Sequence, residues 1–102
     1  MVREASQIVT LTLDKHGLRS DPQVLHVERG EIIGWEASPD LPMMIQCIES
    51  TPFAKAEYQA EGYFEEPVRT DAPPGVYRFA SAFWRDGKVY MDSRCPRFII
   101  QQ

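Results

Sequence analysis

The sequence is short of several things, and each shortage excludes a class of protein. Only two cysteines occur in 102 residues, too few for a disulfide-scaffolded miniprotein. No apolar run approaches the ~20 residues of a membrane-spanning helix. Eleven Lys and Arg face fifteen Asp and Glu, a net charge of −4, and nucleic acid instead rewards a basic face. There is no Gly-rich phosphate loop, no Gly-x-Ser-x-Gly elbow and no His-Glu-x-x-His pair. Met1 to Gln7 lacks the apolar core of a secretory signal, so the expected location is cytoplasmic, or periplasmic or secreted if an upstream signal was trimmed.

What is present describes an ordinary folded domain. The chain is 43% hydrophobic and 11% aromatic, too apolar for disorder. No repeat, linker or low-complexity tract divides it, so residues 1–102 read as a single domain. A chain of this size buries roughly 60–65% of its unfolded surface, enough for a core without a metal or staple. Eight prolines and six glycines call for many turns.

Periodicity places the strands. Val9, Leu11 and Leu13 alternate with Ile8, Thr10 and Thr12, the period of two of a half-buried strand. Short strands follow at Val24–Val27 and Ile32–Ala37, the latter burying Ile33 and Trp35, with Gly30 in the turn between them. Ser38–Pro42 reads as a loop, because each proline removes a ladder donor. Met43–Ile48 resumes a strand with apolar residues on both faces. Residues 49–66 read as an irregular excursion with a short helix around Phe53–Ala60. Pro67–Thr70, Val76–Trp84, Lys88–Met91 and Arg97–Gln101 complete the set, with Asp86-Gly87 as a hairpin turn. Seven or eight strands with turns every ~8–12 residues specify an all-β, Greek-key sandwich.

Three stretches together resemble the cupredoxin family. Val27-Glu28-Arg29-Gly30-Glu31-Ile32-Ile33-Gly34-Trp35 is similar to its strand, turn and Trp-ended strand. Pro74-Gly75-Val76-Tyr77-Arg78-Phe79 is similar to its Pro-Gly-x-Tyr entry into the penultimate strand, and Phe98–Ile100 to its last strand. The resemblance covers residues 7–48 and 67–101 and implies a copper site of two histidines, a cysteine thiolate and usually a methionine. One histidine is expected in the loop after the Trp-ended strand, where this chain has Met43, eight residues past Trp35. The cysteine is expected six residues past the Pro-Gly glycine, where Ser81 stands, and the second histidine about three later, where Trp84 stands. The resemblance therefore implies the fold without its type 1 copper site, and no cofactor is expected.

Other chemistry is sparse. A divergent copper-binding or copper-delivery site would draw on Met43, Met44, Cys47 and one of His16 or His26, converging from separate loops. Cys95 lies in Ser93-Arg94-Cys95-Pro96-Arg97, where two arginines would lower a thiol pKa, yet a hairpin-end cysteine is the simpler reading. Cys47 and Cys95 bridge only if their Cα atoms lie within about 7 Å, and two separate, partly buried thiols are expected. Glu65-Glu66 would face opposite ways on a strand and read as a solvated pair. Glu57–Glu66 mixes acids with aromatics, and strand alternation turns one of Phe83 and Trp84 outward. The candidate contact surface is therefore Tyr58, Tyr63, Phe64 and Trp84. The expected function is a non-enzymatic binding or structural module, its partner another protein or a second copy in a homodimer, with no nucleic acid and no membrane.

Overall fold

Alternation decides which side of each strand turns inward. The computed structural model describes residues 3–38, 41–92 and 94–101, apart from the side chain of Ser38. Its ten strands are β1 (Gln7–Asp14), β2 (Gly17–Asp21), β3 (Val24–His26), β4 (Ile32–Ser38), β5 (Pro42–Ile48), β6 (Glu57–Glu61), β7 (Tyr63–Pro67), β8 (Gly75–Arg85), β9 (Lys88–Met91) and β10 (Arg97–Ile100). Val9, Leu11 and Leu13 of β1, Ile33 and Trp35 of β4, Met43, Ile45 and Cys47 of β5, and Tyr77, Phe79 and Phe83 of β8 are all buried. Each set recurs at every second residue, as a one-sided strand requires.

These strands form a Greek-key sandwich of two sheets. One sheet has the order β2-β1-β4-β7; the other has six strands in the order β3-β10-β8-β5-β6, with β9 also pairing β8. Most neighbours are antiparallel, while β1 runs parallel to β4 and β10 parallel to β3. Aromatic rings fill the space between the sheets. Trp35 meets Phe53 and Phe98 edge-on at 5.2 and 5.9 Å, and Phe98 stacks on Phe79 at 4.6 Å. Offset and edge-to-face contacts of this kind suit the ring quadrupole and add to the area they bury. The indole nitrogen of Trp35 is buried without a hydrogen-bond partner among the described residues.

Asp86 and Gly87 both take positive φ, 53° and 75°, the hand that lets a two-residue turn follow the twist of β8 and β9. Three expectations change. There is no helix among the described residues: after the loop at 51–56, Glu57–Glu61 and Tyr63–Pro67 are strands joined at Gly62. Ala60, Tyr58 and their neighbours pair with β5, and that ladder outweighs a weak helical preference. The strand expected at Pro67–Thr70 lies instead at Tyr63–Pro67, and β2 is an additional strand. In the Ser38–Pro42 loop, Pro39 and Asp40 lie outside the described residues.

Candidate functional site

The four candidate contact aromatics do not share one surface. Phe64 lies opposite Trp35 in the β4–β7 ladder and stacks on it at 4.7 Å, nearly parallel. Tyr58 stacks on Phe64 at 5.5 Å and meets Phe53 edge-on. These two half-buried rings close the side of the sandwich between β6 and β7. Tyr63 points the other way, onto the outer face of the four-stranded sheet. Its hydroxyl donates to Glu65, and the Arg3 guanidinium lies 3.9 Å from its ring centre. Burial first, then the Glu65 carboxylate, pushes the Tyr63 phenol up to about 12. Glu65 is correspondingly lowered, chiefly by that hydroxyl, and also accepts from the Glu4 and Ala5 amides. It belongs to a local network rather than to a merely solvated pair.

Gly34 makes this arrangement fit, because a Cβ there would stand 2.6 Å from the Tyr63 hydroxyl. Trp84 sits on the outer face of the six-stranded sheet, in a groove of about 510 Å³ with Pro42, Met43, Gln59, Ala60 and Glu61.

The sequence resemblance expects copper ligands at Met43, Ser81 and Trp84, and the structure places these three as follows. Met43 is buried on the inner face of β5, opposite Phe83, whereas Trp84 lies on the outer face of β8. Ser81, where the resemblance expects the cysteine, is buried, and its hydroxyl shares a 2.9 Å hydrogen bond with that of Ser20 on the other sheet. The second sulfur-rich set is no more convergent. Met43 and Cys47 face the core and Met44 faces out, His26 is exposed on β3, and His16 sits in the β1–β2 turn. Among the described residues no three His, Cys, Asp or Glu side chains gather as a metal ion requires. Cys47 is buried and Cys95 exposed, both as free thiols. Burial pushes the Cys47 thiol up, against a smaller lowering by Thr51, so its metal-binding thiolate form is disfavoured.

Around Ser81 lies a polar cluster that the sequence did not reveal. Asp92 has a fully buried side chain. It accepts from the Ser20 amide at 2.8 Å and from the Arg94 amide and guanidinium at 3.0 and 3.2 Å. Gln23 donates to the Ser20 carbonyl, and the Asp92 amide donates to the Ser81 carbonyl. Burial alone would raise the Asp92 pKa, but the hydrogen bonds from Arg94 and Ser20 outweigh it and hold the carboxyl below its usual range. The cluster ties β2 to β8 and to the chain after β9 across the sandwich.

The register also sorts the outer surface of the six-stranded sheet. Met91, Ala82, Met44 and Gln59 lie side by side across β9, β8, β5 and β6, and Val89 lies beside Trp84 in the next row. Nearer the other end, Val24, Arg97, Arg78 and Ile48 form a row across β3, β10, β8 and β5. The five large apolar side chains most exposed among the described residues, Val24, Ile48, Val76, Val89 and Met91, all lie on this one face.

No protein-family model matches the chain, and no curated protein matches it. Solved structures do. A purple cupredoxin from Nitrosopumilus maritimus superposes with a TM-score of 0.59 at 15% identity, covering 94% of this chain and all of that one. An oxidized point mutant of amicyanin gives 0.51 at 11% identity over 92% of this chain and 82% of its own. The Cu(I) form of another amicyanin mutant gives 0.51 at 12% identity, over 99% and 86%. On strand order, burial and these superpositions, the chain has a cupredoxin-like fold.

Proposed function

We propose that this chain is a non-enzymatic binding module on a cupredoxin-like scaffold that does not carry type 1 copper. The observation that carries the reading is Ser81, six residues past the Pro-Gly glycine where the resemblance expects the copper thiolate, whose hydroxyl is buried and bonded to Ser20. With Met43 and Trp84 in the places of the two histidines, the local donors are a thioether, a hydroxyl and an indole. That set lacks the imidazole pair and thiolate of a type 1 copper site. The surroundings of the two thiols favour the non-enzymatic reading: Cys47 is buried, and the Arg94 guanidinium next to Cys95 in sequence is engaged by Asp92. The acidic net charge favours a protein partner over nucleic acid. Trp84, half-exposed among apolar neighbours, is the aromatic best placed to anchor that partner.

The test is copper itself. Purified chain is mixed with Cu(II), and separately with Cu(I) under reducing conditions, then desalted and assayed for metal. Less than about one-tenth equivalent per chain supports the reading, since an intact thiolate–imidazole site retains its metal. Stoichiometric copper in either form would overturn it, and loss of that copper on Cys47→Ser would assign it to the Met43, Met44 and Cys47 set.

A further inference from the structure

We propose that two copies of this chain associate face to face through the outer surface of the six-stranded sheet, burying Met44, Trp84, Val89 and Met91 in the interface. This deepens the binding-module reading by naming the partner as a second copy.

Three observations converge on that surface. Val89 and Met91 are 55% and 60% exposed, and the register sets them beside Trp84 and Ala82 on one flat row after another. A contiguous apolar surface on a sheet is unusual unless something covers it. Among the described residues no segment covers it, because all ten strands are used in the two layers.

The charges on the face are the second observation. Arg78 and Arg97 are directly opposite each other in the β8–β10 ladder, a like-charge pairing that destabilises an isolated sheet. Neither is in an ion pair among the described residues. At the other margin of the same face, Glu57 and Glu61 on β6 point outward in register with Gln46 and Pro42, and they too have no ion pair among the described residues. Basic on one flank and acidic on the other, the face is complementary to itself.

A two-fold axis lying in the face and running along the strands brings the basic margin at Arg97 toward the acidic margin at Glu57, as an isologous interface requires. It sets β8 over the partner's β5, and β9 and β10 over the partner's β6. Trp84 then comes over the partner's Pro42, Met44 over the partner's Ala82, Met91 over the partner's Gln59, Val89 over the partner's Glu61, and Arg97 within one row of the partner's Glu57. Area is the third consideration. The sixteen outward positions of β5, β6, β8, β9 and β10, on strands about 4.8 Å apart and rows about 6.8 Å apart, give roughly 500 Å² per copy. Two such faces, about 1,000 Å² together, reach the range of a weak, reversible dimer.

Sedimentation velocity over a dilution series of about 1–500 µM tests this by mass action. The expected result is a mass twice 11.7 kDa at the top of the series that falls to the monomer on dilution. Met91→Asp, at a largely exposed site, is expected to remain monomeric with an unchanged circular dichroism spectrum. Arg97→Glu and Glu57→Arg each weaken the dimer about tenfold or more, and the double variant regains affinity. A monomer at every concentration overturns the proposal. So does a dimer insensitive to Met91→Asp, which would place the interface on a strand edge or the other sheet. Copper binding and dimerisation are separate readouts, so failure of this proposal leaves the copper result standing, and the reverse.

Discussion

On the outer face of the four-stranded sheet, Arg3 pairs with Glu36 and lies over the ring of Tyr63, Tyr63 donates to Glu65, and Arg19 pairs with Asp14. On the outer face of the six-stranded sheet, Arg78 faces Arg97, and Val76, Val89 and Met91 stand open to solvent. Both sheets follow the same alternation inward, so the core does not explain the difference. The first face is satisfied by its own chain, including the N-terminal residues that lie against it. The second is left with apolar area and like charges that a further surface would relieve. Within one fold, the two outer faces differ in how far their own chain satisfies them.

The largest expected effect separates the aromatics that look alike in sequence. Phe64→Ala removes the ring stacked on Trp35 and is expected to lower stability by about 3 kcal/mol, measured by urea unfolding. Trp84→Ala, on the open face, costs the monomer less than about 1 kcal/mol. Equal losses at the two sites would erase the distinction between a closing ring and a contact ring.

Next is the tie between the sheets. Asp92→Ala leaves the Ser20 amide and the Arg94 guanidinium without their buried acceptor and is expected to cost about 2 kcal/mol. Because the folded pKa of Asp92 is lowered, its contribution is complete above the unfolded value of about 3.9 and is lost as pH falls through the folded value. The stability difference between wild type and Asp92→Ala therefore shrinks in acid. A difference that stays constant down to strong acid would show that the carboxylate is not the stabilising form.

The self-satisfied face makes a third expectation. Gly34→Ala forces Tyr63 off the sheet and costs about 1–2 kcal/mol, and Tyr63→Leu in the same chain restores most of the loss. The Tyr63 phenol ionises near 12, so its network persists below the unfolded tyrosine value of about 10 and is lost as pH rises through 12. Absorbance at the phenolate band is expected to show this late step and to lose it in Tyr63→Phe. On the opposite face, Val89→Thr and Met91→Gln are expected to change monomer stability by less than about 0.5 kcal/mol, the smallest effect of the set.

Much of the sandwich was readable because its central strands carry strict alternation. Val9, Leu11 and Leu13, or Tyr77 and Phe79, leave one solution for a half-buried strand. β6 was obscured because Ala, Glu and Gln favour helix locally, while its Tyr58 and Ala60 alternate as a strand does; pairing with β5 decides the matter. The hairpin partner β2 was hidden because Ser20 is buried by a hydrogen-bonded network rather than by apolarity. Asp92 was invisible for a related reason: its donor from the other sheet, Ser20, is 72 residues away in sequence. The open face left a fainter trace, in apolar residues on both sides of Met43–Ile48 and in Trp84 beside Phe83. Period alone shows that such a strand has two apolar faces, not what covers the second.

The most direct measurement is a dilution series followed by backbone-amide NMR. Shifts between the concentrated and dilute samples are expected at Met44, Ala82, Trp84, Val89 and Met91, with Thr10, Thr12, Glu36 and Tyr63 unmoved. Shifts concentrated on the latter four, or none on the former five, would contradict the assignment of the open face as the contact surface.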